Sequence, residues 1–383
     1  MKRIFFTGGG TAGHVTPNIA LIERMLEQGW QVHYIGAKGG IEESIVAELP
    51  ITFHGIATGK LRRYFSWQNF LDPFKILYGL MQSLWLCVRW RPALVFSKGG
   101  FVAVPVVVAA WLCRVPVIAH ESDITPGLAN KLCFPFVRHV CVNFQETEKY
   151  LGRSASSTTK ATSEENQAKV IVTGSPVRTT LLEGNAERGR AILGFNHDQP
   201  ILLVFGGSLG AQAINDWVWG SLTDLLTHYQ IVHIVGAGNL NPSIGLTEGL
   251  DQTSASEQKG LAPNYCQKEF LQAEFGDVLA AAELVLSRAG ANSIYELLLM
   301  RKPHILVPLT ARASRGDQII NARIFESKGM SIVVNEDNLG STDIVQVCEN
   351  AIKNQASQLA AIADFEIIDA VSVITELLER TSR

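Results

Sequence analysis

The sequence is poor in charge and its cysteines follow no metal-binding or redox pattern. Charged residues make up 18% of the 383 positions, and 33 Lys+Arg stand against 36 Asp+Glu for a net charge of −3. So balanced a chain has no bulk attraction to a polyanion, and no nucleic acid partner is expected. At 47% hydrophobic residues it is too apolar to stay disordered. The six cysteines, Cys87, Cys113, Cys133, Cys141, Cys266 and Cys348, show no C-x-x-C spacing and read as buried thiols rather than bridges or zinc ligands. Neither D-x-D nor H-E-x-x-H occurs, so no metal site and no cofactor are expected. The longest apolar run, residues 102–113, contains Pro105 and is shorter than the roughly 18 to 20 residues of a spanning helix. Residues 1–7 run directly into glycines without a long apolar segment, which predicts no secretory leader and a cytoplasmic chain.

What is present is an alternation of strands and helices. The length suggests two domains. Short apolar runs at 4–7, 31–35, 94–97, 116–120, 137–142 and 170–172 read as strands, with helical patterns between them, which predicts a parallel doubly wound sheet. Residues 46–56 carry mixed signals. The polar stretch 153–166 reads as a surface insertion, and Gly174-Ser175-Pro176-Val177-Arg178 as the domain junction. A second unit then repeats the opening plan: strand 201–205, glycine turn 206–211, helix 212–222, and strands at 230–235, 284–287, 304–307 and 331–334. Helical stretches at 343–353 and 366–379 follow.

Three segments carry candidate chemistry. Gly8-Gly9-Gly10-Thr11-Ala12-Gly13 satisfies G-x-G-x-x-G between a strand and a helix, where backbone N–H groups suit a phosphate; the same glycines equally serve tight strand-to-helix packing. A dinucleotide site would want an acid near the end of the second strand, and residues 34–38 offer none. His14 is placed in the first helical turn, where the helix dipole favours a neutral ring able to act as a base. Ser287-Arg288-Ala289-Gly290-Ala291-Asn292-Ser293-Ile294-Tyr295-Glu296 reads as strand end and helix start, with Asn292 and Ser293 as caps and Glu296 in the first turn. Glu296 suits a ribose diol, or simply complements the dipole. Apolar residues Phe70, Leu71, Phe74, Leu77, Tyr78, Met81, Leu84, Trp85 and Val88 recur at helical spacing, with Asp72-Pro73 as a possible restart, and such a stripe is usually core. Before it, Lys60, Arg62 and Arg63 interleave with Tyr64, Phe65 and Trp67, a cluster suited to anionic headgroups.

Taken together, residues 8–17, Lys98-Gly99-Gly100-Phe101, His120-Glu121-Ser122-Asp123, 174–178, Gly206-Gly207-Ser208-Leu209-Gly210-Ala211 and 288–296 resemble, in order and spacing over nearly the whole chain, the MurG family of peptidoglycan N-acetylglucosaminyltransferases, which convert lipid I to lipid II. The resemblance implies a GT-B fold: two Rossmann-like, doubly wound domains separated by a cleft, residues 1–177 facing acceptor and membrane, residues 178–365 binding the donor, and a terminal helix (366–383) packing back on the first. It implies UDP-N-acetylglucosamine as donor, lipid I as acceptor, and peripheral attachment to the cytoplasmic face of the membrane through the 60–67 cluster. It assigns the donor to Thr11, Ala12, Gly13, Arg178, Ser208, Phe270, Leu271, Ala291, Asn292, Ser293, Ile294, Tyr295, Glu296, Asp317 and Gln318. The general base is expected at His14, then Asp123, then Glu121, with Asp123 also near the sugar. Two positions depart from the family: Ala12 stands where glycine is common, which is harmless at negative φ, and Asp123 where many members carry asparagine. A UDP-sugar epimerase, a glycolipid synthase and an inactive membrane scaffold are the alternatives.

Overall fold

The computed structural model describes residues 1–59, 68–151, 169–196, 199–207, 210–244, 264–312 and 314–382. They form two compact units, Met1–Arg178 with Ile368–Arg383, and Thr179–Ile367.

The first unit is a parallel sheet of β1 (Arg3–Thr7), β2 (Gln31–Ala37), β3 (Thr52–Ile56), β4 (Leu94–Ser97), β5 (Val117–Glu121), β6 (His139–Val142) and β7 (Lys169–Val172). Their order in space is β3-β2-β1-β4-β5-β6-β7. Helices cover both faces, so the inner strands are buried along nearly their whole length rather than on alternate residues. In β1, Phe5 points into the layer under helices Gln68–Trp90 and Ala103–Leu112, while Ile4 and Phe6 point into the layer under helix Thr16–Glu27. That second layer is completed from far along the chain: Ile374, Leu377 and Leu378 of helix Ala370–Thr381 are buried in it.

The second unit repeats the plan with β8 (Ile201–Phe205), β9 (Gln230–Ile234), β10 (Tyr265–Lys268), β11 (Leu284–Ser287), β12 (His304–Leu306) and β13 (Ile332–Val333), ordered β10-β9-β8-β11-β12-β13. In both sheets the chain builds outward from one strand, then returns to that strand's other side. The reversal falls between β1 and β4 in the first and between β8 and β11 in the second. Loops leaving the carboxyl ends of those neighbouring strands diverge and open a crevice, the place where doubly wound sheets take ligands.

Several expectations need correction. Helix Gln68–Trp90 runs through Pro73 without restarting there. Its apolar stripe has the anticipated spacing but faces outward: Phe74, Leu77, Tyr78, Met81, Trp85 and Val88 are 57–71% exposed, while Gly79, Ser83, Leu86 and Cys87 face the sheet. Amphipathic spacing identifies a face without saying what covers it. The 46–56 region resolves into the end of helix Ile41–Val46 and β3, and β10, which the sequence did not suggest, is a second-unit edge strand. The six cysteines are unbridged, five of them buried and Cys113 half-buried.

Buried neutral imidazoles give the fold a pH dependence. Burial, aided by His54 and Arg3, lowers His33 to about 4; burial lowers His233 to about 3 and His304 to about 4. Below the ordinary value near 6.5 the unfolded chain therefore binds protons that the native chain does not. Stability is expected to fall as pH drops from 6.5 toward 4, with the melting temperature at pH 5 at least about 5 °C below that at pH 7.5. Equal melting temperatures across that range would contradict the neutral buried rings.

Candidate active site

In the second unit two loops flank the reversal point. After β8 the chain turns through Gly206 and Gly207, with the Gly210 N–H donating to the Gly207 carbonyl, before helix Gln212–Gly220 begins. Ser208 lies outside the described residues. After β11, helix Ala291–Leu299 starts from Gly290 in extended geometry, with no side-chain cap. The expected caps are thus displaced: Asn292 and Ser293 are the second and third helical residues, and Glu296 stands in the second turn. A helix begins with N–H groups that have no intrahelical acceptor, and Gly290 has no side chain with which to cap them. Such an N-terminus favours a phosphate.

Neighbouring loops are tied to this helix start. The Arg288 guanidinium, almost fully buried, donates to Glu336 Oε1 at 2.6 Å and to the Val307 carbonyl at 3.2 Å, while Glu336 Oε2 accepts the Thr310 N–H at 3.2 Å. Gln318 Oε1 accepts the Leu309 N–H at 3.0 Å, and Asn321 donates to the Ala289 carbonyl at 3.3 Å. Gln318 therefore hangs from the same clamp as the helix start. Asp317 opens helix Asp317–Ser327, and its Oδ1 is buried without a hydrogen-bond partner. Phe270, 57% exposed, and the half-buried Leu271 follow β10.

In the first unit three loops meet at the sheet's carboxyl edge. Residues 12–14 form a 3₁₀ turn, and helix Thr16–Glu27 begins only after it, so His14 precedes the helix rather than opening it. Thr11 Oγ1 lies 2.9 Å from His14 Nδ1. A Cβ on Gly8 would strike the His14 carbonyl, which is why glycine is needed where this turn folds back. Ala12 is not among the positive-φ residues, so the alanine is tolerated without strain. The Gly99-Gly100 turn has φ of +94° and +84°, and a Cβ on Gly100 would run into the Gly9 carbonyl. Glu121 is buried, and its carboxylate accepts from the Asp123 N–H at 3.0 Å, the Gly127 N–H at 2.9 Å and Asn130 Nδ2 at 2.9 Å. Asp123 is half-buried on the loop so held. Arg178, half-buried, closes the first unit's main segment.

Sequence reasoning missed two residues here. Lys98 is 1% exposed, and its ammonium donates to His120 Nδ1 at 2.6 Å and to Ser122 Oγ. Glu42 is fully buried, with Oε1 accepting the Ala37 N–H at 2.6 Å and Oε2 the Gly10 N–H at 3.3 Å. An acid does stand beyond the second strand, then, but it is turned onto the glycine loop rather than left for a ribose. The loop's packing role is filled from within the chain. The signal was an acid at the start of a helix after Gly39-Gly40, four residues past the window where a ribose ligand was sought. Lys60, Arg62, Arg63, Tyr64, Phe65 and Trp67 lie outside the described residues. Among the described residues no group of three or more His, Cys, Asp or Glu is placed to hold a metal ion, and no helix is long and apolar enough to cross a membrane.

The glycosyltransferase family 28 N-terminal domain model matches residues 4–142, and its C-terminal counterpart matches residues 201–375. Two similar relatives are both named UDP-N-acetylglucosamine--N-acetylmuramyl-(pentapeptide) pyrophosphoryl-undecaprenol N-acetylglucosamine transferase. The one from Legionella pneumophila (strain Lens) is 48% identical over 92% of this chain and 89% of its own. The one from Lachnoclostridium phytofermentans is 46% identical over 99% of each. Among solved structures, Acinetobacter baumannii MurG superposes with a TM-score of 0.70 at 22% identity, covering 99% of this chain and 100% of its own.

The Glu42 contacts are open to direct test. Glu42→Gln turns an amide NH₂ toward one of two backbone donors, and should cost about 1–3 kcal/mol of stability in urea unfolding. An unchanged midpoint would remove the carboxylate from its role in holding the glycine loop.

Proposed function

The chain belongs to glycosyltransferase family 28, and from that membership we propose that it is an inverting transferase. It moves N-acetylglucosamine from UDP-N-acetylglucosamine to the C4 hydroxyl of the muramic acid of lipid I, giving lipid II for peptidoglycan synthesis. The observation that carries this reading is identity of 46–48% over 92–99% of the chain to transferases whose names state that donor and acceptor.

The chemistry divides between the units. In the second, the uncapped start of helix Ala291–Leu299 receives the diphosphate, whose departure needs charge stabilisation more than protonation. Glu296 takes the ribose hydroxyls, Asp317 and Gln318 the sugar hydroxyls, and Phe270 with Leu271 the uracil. The family resemblance further assigns the donor to Arg178, a cation suited to a diphosphate, to Ser208 and to residues 11–13. In the first unit, His14 takes the proton as the acceptor oxygen attacks the anomeric carbon from the face opposite UDP, turning an α linkage into β. For Nε2 to accept, the ring hydrogen must sit on Nδ1, the nitrogen facing Thr11 Oγ1. Thr11 Oγ1 can accept that hydrogen, so the contact is compatible with the tautomer the base needs. Glu121, whose carboxylate already accepts from Asp123, Gly127 and Asn130, ranks behind Asp123 as a second candidate.

The outward stripe of helix Gln68–Trp90 supplies the membrane contact. Trp111, Leu112, Leu128 and Leu132 are also about half exposed, on helices packed over the same face of the sheet. Exposed Arg89, Arg114 and Lys131 stand beside this surface in sequence. Apolar side chains with a cationic border suit a leaflet of anionic lipid, and the 60–67 cluster would extend them.

Two measurements test these assignments. With a short-chain lipid I analogue the protein should convert UDP-N-acetylglucosamine to UDP and a β-1,4 disaccharide, and His14→Ala should lower turnover roughly 10²-fold with donor affinity little changed. Lipid-independent epimerisation of the donor instead of transfer would overturn the function, and near-normal turnover of the variant would remove His14 as base. In sedimentation with anionic vesicles, replacing Tyr78, Met81 and Trp85 together by serine should weaken binding about tenfold or more. Unaltered partitioning would move the contact elsewhere.

A further inference from the structure

Lys98 is the one lysine among the described residues that is almost wholly buried, and neither the family match nor the mechanism above gives it a task. It stands immediately after β4, beside the reversal point of the first sheet, its N–H bonded to the Thr7 carbonyl at 2.8 Å. Its backbone side lies under the glycine loop: a Cβ on Gly8 would come 3.1 Å from Lys98 Cβ. Its ammonium reaches the other way, to His120 Nδ1 and Ser122 Oγ. His120 is itself anchored, Nε2 donating to the Gly174 carbonyl at 3.0 Å, which leaves Nδ1 as the lone-pair acceptor for Lys98. One side chain therefore spans the space between the loop that carries His14 and the turn that carries Asp123.

A buried ammonium is costly unless anions face it. The titratable groups around this one are His120, Glu121 and Asp123 from β5 and its loop, and Cys141 from β6. Burial pulls the lysine below the usual amine range, while Glu121, Asp123 and Cys141 pull it back up. Burial first, and the neighbouring ammonium second, holds His120 neutral well below the ordinary histidine value. The Glu121 carboxylate is held by the Asp123 and Gly127 N–H groups and by Asn130 Nδ2, so it ties the residue after Ser122 to the same framework.

We propose that Lys98 is a positioning residue for the transfer reaction: its ammonium, bonded to His120 and Ser122, fixes the Ser122–Asp123 turn at the first unit's catalytic edge. The inference rests on the transferase reading above. It makes Lys98 and Asp123 a functional pair, the lysine placing the turn on which the carboxylate stands.

The test is a double-mutant cycle of Lys98→Met, Asp123→Asn and the combination, assayed for transfer to a lipid I analogue. Lys98→Met should lower kcat about tenfold or more and leave the KM for UDP-N-acetylglucosamine within about twofold, because the donor residues of the second unit are untouched. In the Asp123→Asn background the same substitution should cost less than about threefold. A Lys98→Met enzyme with kcat within twofold of wild type would overturn the proposal, as would an equal loss in both backgrounds. Should Lys98→Met melt below the assay temperature, Ser122→Ala decides instead. It removes one of the two acceptors of the ammonium and should lower kcat about threefold or more at unchanged donor KM, and a wild-type rate overturns the proposal. Wild-type transfer is measured in the same assay: no transfer counts against the function, whereas transfer that Lys98→Met or Ser122→Ala leaves intact counts against Lys98 alone.

Discussion

Most strands of both sheets are buried on both faces, and this constraint places much of the rest. A polar side chain along such a strand is kept neutral by burial, as His33, His233 and His304 are. Polar chemistry is therefore pushed to strand ends, and the reversals at β1/β4 and β8/β11 decide which ends. The loops bearing His14, Lys98 and Asp123 in one unit, and the helix start at Ala291 in the other, all leave the carboxyl edges of their sheets. Their grouping is a consequence of strand order rather than of any local sequence preference.

The two units use those edges differently. The second offers backbone: an uncapped helix start and a glycine turn, stiffened from behind by the Arg288–Glu336 pair. The first offers side chains, and its glycine turn is already engaged by Glu42. The same strand-turn-helix grammar thus gives a helix start without a capping side chain in one case and a glycine loop braced by a buried carboxylate in the other.

How much of this was legible in the sequence depends on the kind of interaction. Strands such as β4, β8 and β11 stood out because burial on both faces makes them short continuous apolar runs between turns. β10, reading Tyr-Cys-Gln-Lys at a sheet edge, carries no such run and was missed. The spacing along helix Gln68–Trp90 was visible, but its direction was not, since an apolar stripe looks the same whether protein or lipid is to cover it. Asn292 and Ser293 looked like caps because of their chemistry, although the chain begins the helix one residue before Asn292. Lys98 and Glu42 were hidden for a common reason. Charged residues are expected at the surface, and only the folded chain shows that their partners arrive from loops more than twenty residues away, His120 and Ser122 for one and Gly10 for the other.

Helix Ala370–Thr381 contributes Ile374, Leu377 and Leu378 to the core beneath β1 and β2, yet the entire second unit, Thr179–Ile367, is translated before it. On the ribosome the first unit must therefore wait, with an open apolar seam along helix Thr16–Glu27, while the second folds as an uninterrupted segment. Nascent chains of this protein hold their vulnerable surface at the end made first, which is where a holding chaperone would have the longest time to act.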